Sequence, residues 1–151
     1  MFNSESITTR GNVTIVLSNE HGEIVEEKNV DNLVVTTGRN WIAGRLTDAT
    51  ASSNAQMSYM SIGEGTVAAV LGNTILGSER QKVALSANTV AANVVTYSAT
   101  FPPTSNIAVT EAGIFNASGA NTGTMLCRTT FPVVNKGTLD SMSITWTLSI
   151  S

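Results

Sequence analysis

A chain of 151 residues is the length of one ordinary domain, able to bury roughly two-thirds of its unfolded surface without metals or disulfides. Charged residues make up 13%, about half the usual roughly 25%, while Ser and Thr number 37, so the surface must be largely hydroxyl and amide. A net charge of -3 without a Lys/Arg cluster leaves no footprint for nucleic acid, and no apolar run approaches the roughly 20 residues of a membrane span.

Residues 1–10 are polar around isolated Phe2 and Ile7 and read as an N-terminal arm; residues 11–151 form the single domain. From Gly11, Val13, Ile15 and Leu17 alternate with polar positions, and N-E-H-G at residues 19–22 turns the chain into a second strand over residues 23–30. Glu26, Glu27 and Lys28 place that strand near a sheet edge. After a short apolar run at 32–35, Thr37 is placed to cap a helix from Gly38 to about Asp48, with Trp41 and Leu46 packing on the sheet. Gly38 and Gly44 each weaken it by about 1 kcal/mol relative to Ala.

A strand is predicted over residues 58–62, then a surface loop at 67–77 that packs Leu71 or Leu76 back onto the domain. Residues 79–85 and 90–101 read as single strands, the second ended by Pro102 and Pro103. Residues 106–115, N-I-A-V-T-E-A-G-I-F, form an apolar strand with one carboxylate, and residues 124–131 carry Met125, Cys127 and Phe131 on one face. Met142, Ile144, Trp146, Leu148 and Ile150 alternate strictly with Ser and Thr, a period-2 pattern with one core face and one hydroxyl face. About eight strands with one short helix and no βαβ rhythm give an all-β fold, an antiparallel β-sandwich or jelly-roll-like barrel.

Catalytic, cofactor and metal residues do not emerge. His21, the one conventional base, lies in a hairpin turn, and Cys127 patterns as a buried thiol. Glu20, His21, Glu23, Glu26 and Glu27 read as a solvated acidic hairpin rather than a ligand set. G-E-G-T at 63–66 lacks the Lys of a phosphate loop. Glu111 remains: parity puts it on the face of Ile107, Val109 and Phe115, so it needs an arginine, backbone N–H donors, or a bulge at Gly113 that turns it outward. Arg128 is the first-choice partner for a structural ion pair, followed by Arg80 and Arg39. The chain lacks a signal-peptide pattern and holds a single Cys, which fits synthesis in a reducing cytoplasm.

Six segments in order resemble small virion proteins of tailed phages: N-L-V-V-T-T-G-R-N-W-I-A (32–43), Y-M-S-I-G-E-G-T (59–66), L-G-S-E-R (76–80), V-T-E-A-G-I-F-N-A (109–117), M-L-C-R-T-T-F (125–131) and S-I-T-W-T-L (143–148). The resemblance implies a β-sandwich virion component, found as capsid cement or decoration proteins and in tail appendages. A chain holding one small domain suits a cement protein on the head surface, bound to the major capsid protein as a homotrimer and resisting internal pressure. The alternative is a tail-fibre or tail-tip component, with host-glycan binding in view. Phe2 and Ile7 are the candidate partner contacts on the arm.

Overall fold

The computed structural model describes residues 4–47 and 55–151. In chain order they form β1 (Thr9–Ser18), β2 (Ile24–Asp31), β3 (Leu33–Val34), α1 (Thr36–Arg45), β4 (Tyr59–Gly63), β5 (Glu79–Ala84), β6 (Ala87–Ala91), β7 (Val94–Phe101), β8 (Ile107–Phe115), β9 (Met125–Lys136) and β10 (Ser141–Ile150). The strictly alternating β10 is the middle strand of a five-stranded sheet, β2-β1-β10-β7-β6. A second sheet, β3-β9-β8-β4-β5, lies against it, and every strand pair is antiparallel. The protein is an all-β sandwich, with one short helix among the described residues.

Register aligns the apolar positions into rows. Val13, Trp146 and Tyr97 sit side by side across β1, β10 and β7, as do Ile15, Ile144 and Ala99, and Leu17, Met142 and Phe101. All nine are buried, and they meet Met60, Ile62, Val109, Ala112, Ile114, Cys127 and Val134 of the second sheet in one core. Burying a large apolar side chain contributes roughly 1.5–3 kcal/mol, so these rows are the principal source of stability.

The first hairpin closes as its residues dictate. The Asn19 side chain accepts from His21 and Glu23 N–H, and Gly22 takes the left-handed conformation (φ 77°) that lets the chain reverse. β2 is an edge strand. β1 begins two residues before Gly11, and Thr8 exchanges backbone hydrogen bonds with Ser151, so the end of the arm extends the β1–β10 ladder.

Three local expectations change. The helix starts at Thr36, with Val35 at its N-cap, and Thr37 Oγ1 donates to Met125 O (2.8 Å) instead of capping. Gly38 explains the difference: it lies directly on the Leu126 backbone, so close approach to β9 sets the helix position. Trp41 and Ile42 pack against the core, but Leu46, beyond the last turn, is exposed. Residues 90–101 form part of a hairpin, β6–β7, rather than one strand. Its turn uses Ala92 at φ 52°, a residue with no turn signature, and is held by Asn93, which exchanges hydrogen bonds with Ile150 at the end of β10. Between Val109 and Glu111 the β8–β9 register shifts, and that shift redirects Glu111.

Candidate functional site

Val109 faces Val134, but Glu111 faces Thr130, so residues 131–133 of β9 stand opposite the single residue Thr110. The irregularity reverses the alternation of β8. Ile107 and Val109 point into the sandwich before it; Ala112 and Ile114 do so after it. Glu111 and Phe115 therefore share the outer face, where Phe115 packs with Val35, Leu76 and Met125 in a small second cluster. The expected common face of Glu111 with Ile107 and Val109 is corrected by a bulge of β9 opposite Thr110, not by one at Gly113. Gly113 has another role: a Cβ there would press on the Leu76 and Phe115 side chains at 3.1 Å.

The structure brings Glu111 and Arg128 together on this outer face. Arg128 Nε and Nη2 donate to Glu111 Oε2 at 3.0 and 2.8 Å, and the two side chains are 2% and 0% exposed. The rest of each group is occupied by the segment connecting β4 to β5. Glu111 Oε1 accepts from Gly65 N (2.8 Å) and Ser78 N (2.7 Å), and Oε2 from Gly77 N (2.9 Å). Arg128 donates to Asn73 Oδ1 (3.0 Å) and Val67 O (2.9 Å), while Thr110 Oγ1 donates to Gly65 O. Of the two leucines expected to anchor the loop, Leu76 is buried and Leu71 exposed. Arg80 pairs instead with Glu64 at the loop's base.

Such a pocket demands glycine. A Cβ on Gly65 would lie 2.5–2.7 Å from the Glu111 carboxylate, and one on Gly63 2.6 Å from Oε1. Burial disfavours the charged carboxylate, but the Ser78 and Gly77 N–H groups, the Arg128 guanidinium and the Gly65 N–H outweigh it and hold its pKa below the usual value. The pair is a five-point clamp on a loop.

What the clamp holds is apolar. Residues 65–78 carry no charge, and Val67, Val70, Leu71 and Ile75 are 76%, 54%, 43% and 46% exposed. The Leu71 carbonyl also accepts from Thr36 N, joining the loop to the start of α1.

A second charged group on the same sheet fixes the β8–β9 connection. Lys82 Nζ donates to the carbonyls of Gly119 (2.7 Å), Ala117 and Thr122 (both 3.3 Å), lies 3.5 Å from Glu79 Oε1, and sits 4.2 Å from the centre of the Phe115 ring. Glu79 in turn accepts from Asn121 N and Ser61 Oγ. Sequence reasoning missed this pair because residues three apart on a regular strand point to opposite faces; the register shift of the β4–β5 pair lies beside Glu79.

The other candidates lie elsewhere. Phe2 is outside the described residues. Ile7 is 73% exposed and, with Arg39, Ile42, Ala43 and Leu46, lines a groove of about 560 Å³ between the arm and α1. His21 is exposed beside Glu20 in the hairpin turn. Cys127 is fully buried, and burial pushes its thiol well above its ordinary pKa; burial and then the neighbouring Cys127 raise Tyr97 to about 12. Among the described residues no three His, Cys, Asp or Glu side chains group as metal ligands, and no helix is long and apolar enough to cross a membrane. No protein-family model, curated protein or solved structure matches the chain.

Proposed function

We propose that the protein is a non-enzymatic structural component of a tailed-phage virion: a cement or decoration protein that binds the major capsid protein at the head surface and stabilises the head against internal pressure. The observation that carries this reading is the clamped loop at residues 65–78. An uncharged loop with four exposed aliphatic side chains suits a protein partner. Because Glu111 and Arg128 already fix its backbone, little ordering entropy is lost on docking. The V-T-E-A-G-I-F-N-A and M-L-C-R-T-T-F segments of the phage resemblance contribute the two halves of the clamp, Glu111 and Arg128. Self-association, as the homotrimer that resemblance implies, belongs to the same proposal.

Purified heads stripped of accessory proteins provide the test. The wild-type chain should co-sediment with them at saturating, head-scale copy number and raise the temperature at which they release DNA. A Val67→Asp/Val70→Asp variant should stay folded and fail to bind. A chain that ignores heads and is present in virions at the copy number of a tail appendage would sink the cement reading in favour of a tail-fibre or tail-tip component.

A further inference from the structure

The two sheets have four edges, and three carry a recognised defence against pairing with another strand. β2 bears Glu26, Glu27, Lys28 and Asp31; β3 is two residues long; β5 bears Glu79, Arg80 and Lys82. β6 has none. Its sequence, A-N-T-V-A, is uncharged, among the described residues it pairs only with β7, and Val90 is 70% exposed. The bareness extends around it: residues 83–110 contain no Asp, Glu, Lys, Arg or His, and residues 83–101 contain no Gly or Pro. Charge and proline are what normally interrupt edge-to-edge pairing, and residues 83–101 hold neither.

We infer that β6 is a strand-addition edge and that its occupant is β6 of a second copy, paired antiparallel about a two-fold axis at Thr89. The strand is its own complement. Self-pairing sets Ala87 against Ala91, Asn88 against Val90 and Thr89 against Thr89, with no bulky or like-charged pair opposed. The charges that flank residues 83–110 along the chain, Lys82 and Glu111, are both already engaged in pairs of their own. The product is a continuous ten-stranded sheet joining two sandwiches.

A five-residue ladder buries less than the roughly 800 Å² per partner of a standard stable interface. Pairing is therefore weak between free chains and strong where copies are concentrated side by side on a surface. That purpose rests on the structural-protein reading, whereas the pairing is tested on the purified chain alone, so either can fail without the other. The pairing closes at two copies; a trimer requires a different surface.

Sedimentation equilibrium over a wide concentration range should show a reversible monomer–dimer system. Thr89→Lys places two ammonium groups face to face at the axis and should weaken dimerisation tenfold or more, while Ile24→Lys on the β2 edge leaves it unchanged. Thr89→Cys should form a disulfide-linked dimer under mild oxidation, because the native Cys127 is buried. A chain that is monomeric at every concentration overturns the inference in favour of a strand supplied by another protein. A dimer or trimer indifferent to Thr89→Lys, or a Thr89→Cys chain that does not cross-link, also overturns it.

Discussion

A carboxylate and a guanidinium removed from water are costly unless their remaining lone pairs and protons are used, and here almost all are. Removing one partner orphans the other. Glu111→Ala and Arg128→Ala should each cost about 3–5 kcal/mol in denaturant unfolding, with the double variant costing clearly less than the sum. The pH dependence follows from the lowered Glu111 pKa. Its stabilising contribution is complete above the ordinary unfolded value near ~4.3 and is lost as pH falls through the lower folded value. Hydrogen exchange at the Gly65, Gly77 and Ser78 amides should accelerate in acid beyond the intrinsic rate change, and Glu111→Gln should remove that dependence. Gly65→Ala should destabilise by about 1–3 kcal/mol, measured the same way, because its methyl group meets the carboxylate itself.

At the scale of elements, α1 separates propensity from packing. Ala is the better helix former by roughly 0.8–1.0 kcal/mol, yet a Cβ on Gly38 would come 2.7 Å from the Leu126 carbonyl carbon. Gly38→Ala should therefore lower the melting temperature; a rise would show that α1 can move off β9 at little cost. The sequence places a helix here with Trp41 and Leu46 packing on the sheet; Trp41 does pack on the core, with Ile42 beside it, whereas Leu46 is exposed. It gives the wrong cap because Thr37 Oγ1 finds the Met125 carbonyl, a partner 88 residues away. The β6–β7 turn was illegible for a similar reason: Ala92 has no turn chemistry, and Asn93 is held by β10.

For the molecule as a whole, the arm and the sandwich meet at Thr8, whose backbone pairs with Ser151. Deleting residues 1–7 should leave thermal unfolding unchanged, whereas deleting 1–10 removes part of β1 and should lower it. Head binding by the shorter deletion then tests whether the arm contributes contacts, Ile7 and its groove among them. The outer face of the β3-β9-β8-β4-β5 sheet is covered by two loops, each fixed by a buried charged pair. The outer face of the other sheet presents Thr14, Thr145 and Ser98 in one row and Asn12, Thr147, Thr96 and Thr89 in another, with no loop among the described residues bonded across it. The chain thus presents a clamped apolar loop on one sheet and an uncharged edge on the other.

The sequence by itself determined the all-β class, the first hairpin, the exposed β2 and the core face of β10, because strand alternation and Asn-Gly turn chemistry act within a few residues. It also named Glu111 and Arg128. What only the tertiary structure decided was their direction and purpose. A register shift between Val109 and Glu111, where residues 131–133 stand opposite Thr110, turned Glu111 out of the core, and a loop from elsewhere in the chain supplied its N–H donors. Register shifts and the partners they select depend on strands far apart in the chain, and period counting along one strand contains no information about them.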